Sequence, residues 1–156
     1  ANDVAVSGTI GACFEAADQD VPAIAFSQSW GNFEETDWTC ASGLSANLLP
    51  GLAGAIDDPR MVLNVNFPAV DDVDKVAGCR MVHCGWRLGP TTVEERSAAF
   101  GKHIFYIDTL REDKPNEPAC DLDLLSQGYL TVTPLTLDQT DHGALRTTGK
   151  RLRNLI

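Results

Sequence analysis

Two apolar runs constrain this chain most: Val21-Pro22-Ala23-Ile24-Ala25-Phe26-Ser27 and Met61-Val62-Leu63-Asn64-Val65-Asn66-Phe67-Pro68. Each has the length of a strand and offers apolar side chains to both faces. A strand needs that when helices cover both sides of a parallel sheet. Pro22 fits only near a strand start, and Pro68 stops the second run. A helical segment precedes each. Ile10 to Ala17 combines Ala, Phe and Glu with the small residues Gly11 and Ala12, which would let a helix pack closely on a sheet. Leu44, Leu48, Leu52 and Ile56 recur every four residues, a helical face that Pro50 is expected to kink or divide. Helix followed by buried strand, twice over, is the pattern of an α/β sheet.

The second half changes character. Cys79 to Leu88 and Lys102 to Leu110 read as antiparallel strands of alternating polarity, joined by the charged segment Thr91 to Ala99. Ser29 to Thr39 and Arg111 to Pro118 read as loops. Asp121 to Gly128 reads as a short helix with Asp121 as N-cap and Gly128 as its stop, and Tyr129 to Pro134 as a further strand. The tail from Asp138 gathers Arg146, Lys150, Arg151 and Arg153, a basic face on an acidic chain. The change divides the chain into an α/β part, 1–77, and a β-rich extension, 78–156.

At 156 residues, 44% hydrophobic and 22% charged, the chain has the size and composition of one globular domain. Its formal charge of −10 argues against nucleic acid polymers and anionic membrane surfaces as partners. An anionic ligand would have to be held locally, by backbone amides or by a cation. The longest uncharged stretch, Trp38 to Ile56, is broken by Gly43, Pro50, Gly51 and Gly54 and does not read as a membrane span. Ala1 to Val4 lacks the basic and apolar regions of a signal peptide. Five cysteines without a C-x-x-C pair argue against a zinc ribbon. Cys79 with Cys84, and Cys40 with Cys120, are candidate disulfides, while Cys13 reads as a buried thiol. Reduced cysteines suit the cytoplasm; a secreted or periplasmic setting is the alternative.

Few residues could carry chemistry. Val4 to Val6 reads as the end of a strand, which places Ser7-Gly8-Thr9 at a strand-to-helix junction. The first N–H groups of a helix are unpaired there and its dipole is positive, so an anion can bind, with Gly8 allowing close approach. A plain N-cap explains the same residues. Asp138 and His142 are four apart; on one helical face they could hydrogen-bond, and a His held by a carboxylate can act as general acid or base. His83 and His103 read as structural. Asn64 and Asn66 are unusual on a buried strand and are expected to tie down neighbouring loops. The pairs Glu34-Glu35 and Asp71-Asp72 read as solvated surface.

Taken together, these segments resemble the SurE survival-protein family. Ser-Gly-Thr-Ile-Gly-Ala at 7–12, Val-Pro-Ala-Ile-Ala-Phe-Ser at 21–27, Val-Leu-Asn-Val-Asn-Phe-Pro at 62–68 and Gly-Tyr-Leu-Thr-Val-Thr-Pro-Leu at 128–135, followed by Asp138 and His142, match it in order, spacing and context. The stretch Glu94 to Gly101 is similar too. The resemblance implies a Rossmann-like α/β fold with a β-rich C-terminal extension that swaps between subunits of a dimer or tetramer. It implies a metal-dependent phosphatase of nucleoside 5′- and 3′-monophosphates. On this basis Ser7, Gly8 and Thr9 would bind the substrate phosphate, and Asp138 and His142 would support catalysis, His142 assisting the leaving alkoxide.

One departure is large. The family's metal ligands, an Asp-Asp pair in an Asn-Asp-Asp-Gly loop, a Ser and the Asn of a Gly-x-Asn-x-Gly motif, all precede the Ser-Gly-Thr segment. Asn2 lies too close to Ser7 to replace that Asn, so no metal ligand is assigned. The expectation is an incomplete fold that lacks its N-terminal strands, with Mg or Mn ligands upstream and no activity without them. A non-catalytic SurE-like binding or oligomerisation module is the rival expectation.

Overall fold

The computed structural model describes residues 1–29, 36–86, 91–97, 102–109 and 117–152. A four-stranded sheet forms the centre, in the order β1-β2-β6-β3. Strands β1 (Ala23–Gln28) and β2 (Met61–Phe67) are the two apolar runs, and they pair in parallel with Ala25 beside Asn64 and Ser27 beside Asn66. Strand β6 (Leu130–Thr136) runs antiparallel to β2, with Thr133 opposite Asn64 and Thr131 opposite Asn66. Strand β3 (Cys79–Met81) lines up in parallel with the first half of β6. The sheet therefore draws strands from both sides of position 78.

Helices cover both faces, as the unbroken apolar runs require. Helix α1 (Gly8–Asp18) lays Ile10, Cys13 and Ala17 on one face against Ala25 and Val62. Helix α2 (Thr39–Gly54) covers the other face, where Cys40, Leu63, Val65, Phe67, Leu130 and Val132 form the larger core with Leu44, Leu48 and Leu52 packed against it. Phe67 is fully buried and meets Phe26 edge to face, ring centroids 5.6 Å apart. Short helix α3 (Asp121–Ser126) precedes β6, and α4 (His142–Leu152) follows it. This mixed α/β sheet, covered by helices on both faces, is Rossmann-like.

Several expectations are corrected. Val4 to Val6 is not a strand: Asn2–Val6 forms a 3-10 helix that leads straight into α1. Helix α2 runs through Pro50 undivided. Proline forfeits one backbone hydrogen bond, and the apolar face on β2 keeps the helix continuous. Only Cys79–Met81 of the expected strand from Cys79 pairs with the sheet. The charged segment at 91–99 is itself a strand, β4 (Thr91–Ser97), which forms a separate antiparallel hairpin with β5 (His103–Thr109). Strand β6 continues past Pro134 because β3 ends opposite Val132, so the missing N–H costs no ladder bond on that side. The N-cap of α3 is Cys120 rather than Asp121.

None of the cysteines is paired. Cys40 is buried in the core from the first turn of α2, Cys120 caps α3, Cys13 is buried on α1 as expected, and Cys79 and Cys84 remain thiols. Asp71 pairs with Lys75 at 2.6 Å and Asp72 caps a 3-10 turn at Val73–Lys75, so that acidic pair is solvated surface. The loops expected at Glu34-Glu35 and Arg111 lie outside the described residues, as does Arg153. Among the described residues no helix is long and apolar enough to cross a membrane.

Candidate functional site

The C-terminal ends of β1 and β2 open into a cavity of about 280 Å³. Ligands of open α/β sheets bind in this position, outside the carboxyl ends of parallel strands. Ser27, Gln28 and Ser29 line it from β1, Asn64 and Asn66 from β2, and Ser7 and Ile10 from the start of α1. Asp121, Leu122 and Leu125 of α3 close the far side, and Asp3 and Val4 contribute from the 3-10 helix.

Ser7 is the N-cap of α1, with extended backbone (φ −74°, ψ 122°), and its Oγ accepts the Ile10 N–H at 3.3 Å. The first-turn amides of Gly8 and Thr9 are orphaned by helix geometry and carry the positive end of the dipole. Both residues are exposed, and a Cβ built on Gly8 would meet nothing within 4 Å. Capping and anion binding are thus compatible: the hydroxyl proton of Ser7 stays available while its oxygen caps. Ser7 lies on the cavity itself, whereas Gly8 and Thr9 follow on the exposed first turn.

Asp121 carries the cavity's buried charge. It is 3% exposed, and its carboxylate accepts the N–H of Gly85 at 2.7 Å, its neighbour Leu122 at 2.8 Å, and the Ala1 nitrogen. With its lone pairs so engaged it is a structural tie. Among the described residues no group of three or more His, Cys, Asp or Glu side chains could hold a metal ion. The residues present do not fit a divalent metal by themselves.

Asp138 and His142 are brought together, but not through one helical face. Asp138 precedes α4; its Oδ1 accepts the Thr140 N–H at 2.9 Å and its Oδ2 meets His142 Nε2 at 2.7 Å. Asp141 caps α4 through Ala144 N–H at 2.7 Å. The pair is exposed and does not line the cavity. Because β6 is antiparallel to β2, its end lies beside Met61, roughly 16 Å along the strand from Asn66. Within one chain the sequence-derived phosphate and acid–base residues therefore sit at opposite ends of the sheet. His103 meets Glu95 across the β4–β5 hairpin, and His83 lies 3.6 Å from Glu117, both away from the cavity.

The Thr140 and His142 contacts hold the Asp138 carboxyl down at about 2, against an ordinary 3.8. A depressed carboxylate stabilises its turn above the ordinary value and loses that contribution as pH falls through the folded one. A carboxyl NMR titration is expected to place the Asp138 midpoint near 2. A midpoint at 3.8 would mean that the turn before α4 does not form in solution.

Asn64 and Asn66 depart from expectation. They tie down no loop: no hydrogen bond reaches either side-chain amide among the described residues, and both line the cavity. The sequence marked them as unusual but not as lining a cavity; Ser27 and Asp121 carried no motif that marked them for the site.

Comparison with known proteins bears on this geometry. The family model described as "Survival protein SurE" matches residues 1–88. The chain is 33% identical over 149 residues to a protein named 5′-nucleotidase SurE from Synechococcus elongatus, covering 92% of this chain and 56% of that one. It is 36% identical over 152 residues to a 5′-nucleotidase SurE from Rhizorhabdus wittichii, covering 94% and 59%. The crystal structure of SurE protein from Aquifex aeolicus superposes with a TM-score of 0.73 at 23% identity, over 96% of this chain and 59% of that one. The chain spans just over half the length of the curated relatives it matches.

Proposed function

This chain belongs to the SurE survival-protein family, and we propose that the natural protein is a nucleotidase that hydrolyses nucleoside 5′- and 3′-monophosphates. The observation that carries the reading is Ser7 capping α1 at the wall of a cavity that opens at the ends of parallel strands. The names of the relatives agree with it. In this proposal the amides of Gly8 and Thr9 and the hydroxyls of Ser7 and Thr9 hold the phosphoryl oxygens. A divalent metal, Mg or Mn, would neutralise charge and activate water when bound. The described residues of this chain do not supply its ligands.

Asp138 and His142 enter as the pair that holds and delivers a proton to the leaving alkoxide. Their position at the far end of the sheet fits a tail that crosses to a neighbouring subunit of a homodimer or tetramer. Residues 141–148 of that tail are all exposed, Leu145 among them. On the β4–β5 hairpin Val93, Phe105 and Ile107 share one face and are exposed as well, an apolar surface a second copy would cover. Unpaired cysteines accord with a cytoplasmic setting.

The test is hydrolysis of nucleoside monophosphates by the natural protein with Mg²⁺ or Mn²⁺, compared with Gly8→Val. No protein atom crowds position 8, so the variant is expected to keep its melting temperature. Its kcat/KM is expected to fall by roughly 100-fold, as the loss of a key transition-state contact does. Retained phosphate binding without any turnover in the wild type would favour the non-catalytic module instead.

A further inference from the structure

The face of the sheet beneath α1 changes polarity in rows. Ala23, Val62 and Leu135 are apolar and meet the helix. The next row is Ala25, Asn64 and Thr133, and the last, at the cavity, is Ser27, Asn66 and Thr131. Partners in register project to the same face, so these side chains form one polar patch. Asn64 is 4% exposed and lines the cavity, yet no hydrogen bond reaches its amide among the described residues. The buried hydroxyls of Thr131 and Thr133 likewise have no partner there.

Both amides line the cavity and each can donate and accept, so they point to a ligand that completes them. The patch is uncharged, so it does not select an ion. The volume, about 280 Å³, lies at the small end of ligand cavities, which run from roughly 300 to 1,000 Å³. Amides that donate and accept, beside a serine hydroxyl, match the hydroxyls of a sugar.

We propose that Asn64 and Asn66, with Ser27, bind the sugar hydroxyls of a sugar phosphate whose phosphate lies at Ser7. The inference rests on the phosphate-binding reading of α1 but not on hydrolysis. Its test is calorimetric titration of the natural protein with ribose 5-phosphate and with inorganic phosphate. Wild type is expected to bind ribose 5-phosphate more tightly than phosphate. Asn66→Ala is expected to weaken ribose 5-phosphate by at least about 10-fold, the lower range for losing a polar contact at a built site, and to leave phosphate unchanged. Asn66→Leu keeps the number and branching of the side-chain heavy atoms and removes the polar groups, which guards against a cavity defect, and should behave the same way.

Equal weakening of both ligands would overturn the inference, as would equal wild-type affinity for the two. So would a crystal structure of the natural protein in which protein groups satisfy both amides. Sugar-dependent binding without hydrolysis would sink the nucleotidase reading and leave this one standing.

Discussion

Asp121→Ala is expected to lower the unfolding free energy by about 1–3 kcal/mol, the range for leaving buried hydrogen-bond donors without their acceptor. The carboxylate is 3% exposed and gathers N–H groups from Gly85, Leu122 and Ala1, while the Asp121 N–H itself donates to His83 at 3.0 Å. This one residue joins α3 to the segment after β3. Truncation strands the N–H donors that it holds. No slack exists for the loop to close over the gap, since a Cβ on Gly85 would already lie 2.4 Å from Cys120 Sγ. Urea denaturation compares Asp121→Ala with Asp57→Ala, an exposed control expected to stay within about 0.5 kcal/mol of wild type. A loss under 1 kcal/mol for Asp121→Ala would mean that the joint does not form.

Asp121 also shows where sequence reading stopped. The central fold was legible because burial on both faces leaves a mark in one dimension: Ala23–Gln28 and Met61–Phe67 are strands, and the helices before them are where spacing put them. The Ser7 cap was legible for the same local reason. The Asp121 tie joins residues 36 positions apart, and nothing near Asp121 marks it as buried; locally it reads as a capping Asp. Asn64 and Asn66 were conspicuous as polar residues in a core strand. That they share one polar face with Thr133, Thr131 and Ser27 is a matter of register, which only the assembled sheet reveals. The β4–β5 hairpin was misread because its strand Thr91–Ser97 is exposed and charged, so neither face carries the alternation of a half-buried strand.

Register likewise decides how Ser7 and His142 could serve one reaction. In a single chain they occupy opposite ends of β2, too far apart to touch one phosphate ester. A swapped tail would bring one subunit's His142 to its neighbour's Ser7, making each site composite. Two inactive variants then complement. Gly8→Val spoils the phosphate-holding first turn and leaves the tail intact, while His142→Ala does the reverse. In a mixed dimer one site combines both defects and the other combines neither. Half of randomly assembled dimers are mixed and each has one good site of two, so co-expression is expected to restore roughly a quarter of wild-type turnover. Each variant alone should remain near background. Sites built within one chain would give no recovery, because every chain in the mixture carries a defect. The measurement is nucleoside monophosphate hydrolysis by the purified, size-selected oligomer at matched total protein. Zero recovery from a verified mixed oligomer would remove Asp138 and His142 from the neighbouring site.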